Sequence, residues 1–339
     1  MINIRKLAKL AGVSTATISR ATSQQFADKV APATKEKIFA LIKKHGYTPN
    51  IAAKNLSQPK TKTIGVVLPY IENIFYSSYY SKILSGVANH LLNTDYHFKL
   101  VLLKEGRNWD NYNFRIGEGV EGVVLTQWFR FFSDKDIFNN MNIPCVAIND
   151  FEEGVDVRFV CEDSRLGGEL AAKHFYELGH RKVGVVTGPG WSRDSQARLK
   201  GFKEFSDAQG MVASIAMGHF DFVEPTCAAL DILLEHKVTA IFCCNDNMAY
   251  MTINYLNELK LNCPQDISVI GYDDDFRSTL FNPALTTVCV PVEAMARQAT
   301  QELLNYLANP HGIKVFAGLE LAPVTLQVRA STTKLIVRQ

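Results

Sequence analysis

Residues 182–205 read KVGVVTGPGWSRDSQARLKGFKEF. The first six residues form a short apolar run rich in valine, the pattern of a strand covered on both faces in a parallel sheet. Gly188, Pro189 and Gly190 interrupt it. The stretch SQARLKGFKEF then continues as helix and places Arg198 near the helix start, on the side of the lobe where the strand ends. The alternation recurs from Thr63 onward. TIGVVL, FKLVLL, GVVLT, PCVAI, TAIFC and DISVIGYD are further strands, and helices such as YYSKILSGVANHLL separate them, with Tyr80, Ile83, Leu84, Val87 and Leu91 on one face. The units are more numerous than one open sheet usually carries. The expected fold class is therefore α/β, as two similar lobes with parallel sheets and a cleft between them.

Residues 1–62 follow a different pattern. Ile4, Leu7, Ala8 and Ala11 recur at helical spacing, Gly12 interrupts, and Ser14 is placed to cap a second helix beginning at Thr15. A third helix is expected from about Thr34 to a stop at Gly46, followed by a short helix that Asn50 can cap and a polar linker, QPKTKT. This head holds ten Lys and two Arg against Asp28 and Glu36, a net +10. The remaining 277 residues hold 24 basic and 32 acidic side chains, a net −8, so the overall +2 conceals a basic head on an acidic body. That is the footprint of a polyanion-binding module. Within it, AGVSTATISRATS (11–23) turns Val13 and Ile18 inward and Thr15, Ala16, Ser19 and Arg20 outward. This suits a helix-turn-helix whose second helix presents its N-terminal residues to a DNA groove.

No run approaches the roughly 20 apolar residues of a membrane span or forms a signal-peptide core, so a cytoplasmic location is expected. Seven cysteines without a C-x-x-C pair read as buried thiols rather than a disulfide framework. Gly117, Gly119 and Gly122 match the dinucleotide-binding glycine spacing, but they precede a strand instead of following one, so no nucleotide site is expected there. No phosphate-loop, serine-hydrolase or zinc-protease signature occurs, and neither a cofactor nor a metal is expected. GYDDDF (271–276) puts three carboxylates at a strand's C-terminal end, where open α/β sheets bind ligands; an acidic, water-exposed loop is the competing reading. Phe75, Tyr76, Trp128, Trp191 and Phe222 lie in or near similar loops and could stack on a sugar or base.

Taken in order, LAKLAGVSTATISRATS, GYTPNIAAKNLS, ELGHRKVGVVTGP, ARLKGF, NDNMA, VIGYDD, NPALTTV and VRAST resemble the LacI/GalR family of bacterial transcriptional regulators over nearly the whole chain. The resemblance implies a DNA-binding headpiece (1–48), a hinge helix and linker (49–62), and a periplasmic-binding-protein-like core (63–339). The core's N-lobe would cover about 63–161 and 292–320, and its C-lobe about 162–291 and 321–339. It implies operator contacts from Ser14, Thr15, Ala16, Thr17, Ser19, Arg20, Tyr47 and Asn50, with Ala53 and Leu56 entering the minor groove. It also implies effector contacts from Phe75, Thr126, Asn149, Arg198, Phe222, Asn245 and Asp273. The partners so implied are double-stranded operator DNA, a second copy of the chain, and a small effector, in first place a sugar or sugar phosphate and otherwise a purine. Ile74 stands where the family commonly has proline, Asn149 where it often has aspartate, and the loop 23–34 is slightly longer than usual. A transport-type binding protein and an enzyme with an accessory DNA-binding domain are the rival classes. The first lacks a reason for the basic head, and the second lacks a catalytic set beyond Asp273, Asp274 and Asp275.

Overall fold

A computed structural model describes residues 4–22, 30–45, 61–72, 74–103, 119–127, 143–155, 157–220, 222–310 and 318–335. The chain divides into two compact units, Met1–Thr61 and Lys62–Gln339.

In the first unit, helices α1 (Ile4–Ala11), α2 (Thr15–Ala21) and α3 (Pro32–His45) pack around Leu7, Ala8, Ala11, Ile18, Ala21, Val30 and Ile38. The turn between α1 and α2 is a Schellman cap. Gly12 takes φ +71, its N–H donates to the Lys9 carbonyl, and the Val13 N–H donates to that of Ala8. Helix α3 begins at Pro32, two residues ahead of the sequence expectation, because proline's fixed φ suits a first helical position that needs no N–H donor. Gly46 lies outside the described residues.

Among the described residues, the second unit forms two six-stranded sheets. The strands are β1 (Thr63–Pro69), β2 (His97–Leu103), β3 (Gly122–Thr126), β4 (Cys145–Ile148), β5 (Arg158–Glu162), β6 (Lys182–Thr187), β7 (Val212–Met217), β8 (Ala240–Cys243), β9 (Ser268–Asp273), β10 (Thr286–Cys289), β11 (Gly318–Ala322) and β12 (Thr325–Gln327). One sheet has the order β11-β5-β4-β3-β1-β2, the other β12-β10-β9-β8-β6-β7. All pairings are parallel except β10 with β12. The helices are α4 (Ser78–Leu91), α5 (Ser164–Glu177), α6 (Arg193–Ala208), α7 (Val223–Glu235), α8 (Asp246–Glu258) and α9 (Val292–Ala308). The chain changes sheet three times: after β5, between β10 and α9, and between β11 and β12.

All seven strands read from the sequence are present. β5, β7, β10, β11 and β12 were not legible because they are short, charged at an end, or lie at a sheet edge. At the edge, β7 buries only Ala216 fully and so lacks the unbroken apolar run of a central strand.

Helices α5 and α6 set the position of Arg198. A Cβ on Gly168 would stand 1.9 Å from the Arg198 carbonyl oxygen, and one on Gly201 would stand 1.8 Å from that of Arg165. The two backbones therefore touch through paired glycines. Gly201→Ala is expected to wedge the helices apart, costing about 1–3 kcal/mol as core overpacking does. A urea titration showing wild-type stability would contradict this packing account.

Candidate functional site

Two clusters concern function, one in each unit. In the head, Ser14 caps α2: its Oγ accepts the Thr17 N–H at 3.1 Å and lies 2.9 Å from the Thr17 hydroxyl. The Thr22 hydroxyl donates to the Ile18 carbonyl at 3.1 Å at the other end of the helix. Ser14, Thr17 and Thr22 thus serve the helix itself. Thr15 and Ser19 remain exposed beside Ala16 and Arg20, while Ile18 is fully buried. The outward face combines hydroxyls, a methyl and a guanidinium, which can meet phosphates and base edges. Tyr47, Asn50, Ala53 and Leu56 lie outside the described residues, as do Trp128 and Gly117 of the glycine-spaced stretch.

In the core, every effector candidate stands at or just beyond the C-terminal end of a parallel strand or in the first two turns of the helix that follows. Asn149, just past β4, is 1 % exposed and takes φ +62. Its side-chain amide donates to the Tyr79 hydroxyl at 3.2 Å and to Asp194 Oδ2 at 3.3 Å, and its Oδ1 accepts the Glu162 N–H at 3.2 Å. It therefore joins the first sheet's lobe to α6 of the second.

Arg198 is buried and held through both of its terminal nitrogens and its ring contact. Its Nη1 donates to the Cys244 carbonyl at 2.6 Å, its Nη2 to Glu162 Oε1 at 2.5 Å, and its guanidinium stacks 3.7 Å above the Tyr272 ring. Asp273 Oδ1 stands 4.0 Å from Nη2. From the other lobe, Lys82 on α4 donates to the Asp273 and Asp274 carbonyls at 3.1 and 2.9 Å, where the backbone takes φ +113 and +49. Non-glycine residues in this region carry backbone strain, which clusters at ligand sites.

Thr126 and Asn245 are less free than the sequence suggested. The Thr126 hydroxyl donates to the Val67 carbonyl at 3.1 Å, and Asn245 caps α8, accepting the Met248 N–H at 2.9 Å. Phe75 and Phe222 are more than half exposed and make no part of the buried polar set. The three carboxylates of GYDDDF diverge. Asp274 pairs with Arg329, Asp275 binds Arg277 and accepts the Tyr250 hydroxyl, and only Asp273 turns to Arg198. Among the described residues no three His, Cys, Asp or Glu side chains converge to hold a metal ion.

The structure adds Glu162, Tyr272, Tyr79, Lys82 and Asp194 to the set. Glu162 ends β5, a strand the sequence did not reveal, and so carried no signal. Glu162 Oε2 and Arg198 Nε are buried without partners among the described residues. Such orphaned groups cost about 1–3 kcal/mol each unless something pairs them, so they mark a place for a ligand or water.

Burial, reinforced by the Glu162 carboxylate, pushes the Asp194 carboxyl up to about 7; burial does the same to Asp273, against the pull of Arg198. An acid raised in the folded state binds more protons folded than unfolded. Its contribution to stability is therefore greatest below about pH 4 and is lost as pH rises to about 7. Asp194→Asn removes that loss. The variant should gain stability relative to the parent as pH climbs through this window, as thermal unfolding at a series of pH values will read; a constant difference would show that Asp194 does not titrate there.

A helical DNA-binding head on a two-lobed α/β core, with a buried polar set joining the lobes, defines the class of ligand-responsive DNA-binding regulators. Residues 3–50 match the bacterial regulatory proteins of the lacI family, and residues 172–332 match the periplasmic binding protein-like domain. The probable HTH-type transcriptional repressor ExuR of Bacillus subtilis is 30 % identical over 322 residues, covering 91 % of this chain and 93 % of that protein. The ribose operon repressor of Haemophilus influenzae is 29 % identical, over 92 % and 93 %. The structure of the transcriptional regulator CelR–cellobiose complex superposes with a TM-score of 0.72 at 27 % identity, covering 98 % of this chain and all of that one. The chain belongs to the lacI family of bacterial regulatory proteins. No helix among the described residues is long and apolar enough to cross a membrane.

Proposed function

We propose that the protein is a cytoplasmic repressor that binds a two-fold-symmetric operator as a homodimer and responds to a neutral sugar in the cleft between its core lobes. The observation that carries this reading is the buried set Arg198, Glu162, Asp273 and Asn149, which draws on both lobes at their strand ends and retains an unpartnered guanidinium N–H. A guanidinium flanked by carboxylates binds the paired hydroxyls of a ring by charge-assisted hydrogen bonds. Family membership, the sugar named in the CelR complex and the relative named for the ribose operon support the class of effector. Phe75, Thr126, Phe222 and Asn245 would form the outer walls, and the exposed face of α2 with Tyr47 and Asn50 would contact the operator. Ala53 and Leu56 would wedge the minor groove at the dyad.

The effector acts only to the extent that it prefers one arrangement of the lobes over the other. Shifting the lobes alters the spacing of two hinges in a dimer and takes both heads out of register with their half-sites. The test is fluorescence anisotropy of the full chain on operator fragments selected from random DNA, with a panel of pentoses, hexoses and disaccharides. One sugar that changes operator affinity, and no turnover of that sugar, is the expected result. Hydrolysis or phosphorylation of a panel member would favour the enzyme class instead.

A further inference from the structure

The described part of the glycine-spaced stretch, residues 119–122, builds a junction rather than a nucleotide site. Gly119 turns with φ +74, and Gly122 opens β3 where a Cβ would stand 2.8 Å from Leu303 Cδ1 of α9. Between them the half-buried Glu121 faces the first residue of the core. The Lys62 N–H donates to Glu121 Oε1 at 2.6 Å, and the Tyr96 hydroxyl donates to Glu121 Oε2 at 3.2 Å. The Glu121 N–H donates to the Thr63 carbonyl and the His97 N–H to the Lys62 carbonyl, both at 2.8 Å, while Lys62 Nζ lies 4.5 Å from the Tyr96 ring centroid. Lys62 is therefore held through its N–H, its carbonyl and its ammonium group.

Lys62 is also where the two compact units divide, so the covalent path from core to head runs through the Thr61–Lys62 bond. It takes φ +52, a left-handed backbone that a lysine in a free polar linker leaves for the ordinary regions. The strand that follows does not call for this conformation. Thr63–Pro69 is paired with β2 along its whole length, and 64–67 with β3. Glu121 and Tyr96 thus hold the turn ahead of the strand, beyond what the sheet needs. Lys62, Tyr96 and Glu121 each immediately precede a strand, so the junction lies at the N-terminal ends of β1, β2 and β3. The effector candidates gather at the opposite, C-terminal ends, and none of them takes part in it.

We propose that Glu121 and Tyr96 are positioning residues for the operator-binding head: they clamp Lys62 in its left-handed conformation and so fix the direction in which the chain leaves the core. This rests on the reading of the protein as a dimer on a two-fold operator. Rotation about the Lys62 backbone re-aims everything that precedes it, and in a dimer two loose exits let the heads sample many separations. Two fixed exits make one half-site spacing best, because a single extra base pair moves the half-sites about 3.4 Å apart and turns them by about 34°. A movement of the lobe then reaches the heads instead of being lost in rotation of the linker.

The test compares the full chain with Glu121→Ala, Glu121→Gln and Tyr96→Phe. Hydrogen exchange at the Lys62 amide reads the clamp itself. Glu121→Ala is expected to exchange at least about tenfold faster than the parent, and Glu121→Gln, which keeps an acceptor oxygen, within about threefold of it. Anisotropy without sugar then compares the selected operator with versions carrying one base pair more or fewer at the dyad. The parent should favour its own spacing by at least about tenfold and Glu121→Ala by about threefold or less, with Glu121→Gln restoring the contrast and Tyr96→Phe falling between. Loss of fold alone would weaken binding at every spacing alike and leave the contrast intact, which would overturn the clamp. Parental exchange at Lys62 in Glu121→Ala would overturn it too. A parent that bound every spacing equally would refute the two-fold dimeric reading and the clamp together, whereas a contrast present in the parent and undiminished in Glu121→Ala would refute the clamp alone.

Discussion

Raising monovalent salt from about 50 to about 200 mM is expected to weaken operator binding by about 10³- to 10⁵-fold, the range for proteins that neutralise about 6–10 phosphates. The head carries ten Lys and two Arg against two acids, and the proposed dimer would present it twice, while the core is net negative and adds nothing attractive. The phosphate contacts must therefore come from the head, and each contact releases counterions. The exposed α2 side chains proposed to touch bases, Thr15, Ala16, Ser19 and Arg20, are few, so sequence readout is expected to add discrimination on top of that electrostatic affinity. Anisotropy titrations across a salt series check this directly. A slope near zero in log Kd against log salt would remove the basic head from the account of affinity. A steep slope with no preference for the selected operator would instead locate the failure in the α2 face.

Arg198→Ala should abolish the response to sugar and also destabilise the core, because it strands the Glu162 carboxylate, which is 5 % exposed. Breaking one side of a buried ion pair costs about 3–5 kcal/mol, which for a unit of this size lowers the unfolding temperature by on the order of 10 °C. The two effects are separable. Arg198→Met combined with Glu162→Gln leaves no uncompensated charge and should recover most of the lost stability while remaining blind to sugar. Calorimetric scans and operator-binding assays with and without sugar on both variants decide the matter. A single variant as stable as the parent would show that the Arg198–Glu162 contact is not a buried pair in solution. A double variant whose operator affinity still changed on sugar addition would move the effector away from Arg198.

Much of this was legible in the sequence because local periodicity reports which face of an element is buried. Ile18 against Thr15, Ala16, Ser19 and Arg20, the cap at Ser14, the stop at Gly12, and the seven strands read above all follow from local patterning alone. So did the placement of Arg198 and Asp273 at strand ends, once the strands were read, whereas Asn149 was singled out by the family resemblance. The edge strands β7, β11 and β12 were not legible: β11 is exposed at three of its five positions and β12 buries none of its three, so neither shows an unbroken apolar run.

The sequence by itself determined a basic helix-turn-helix head on an acidic, two-lobed α/β core, since charge segregation and period-2 or period-3.6 patterns are properties of neighbouring residues. Only the tertiary structure decided who pairs with whom. Glu162 and Arg198 are separated by 36 residues, and Lys82 and Asp273 by 191, and nothing in either local stretch names its partner. Those contacts exist because the chain crosses three times between two sheets and brings their strand ends together, where desolvation turns ordinary acids and bases into a coupled site.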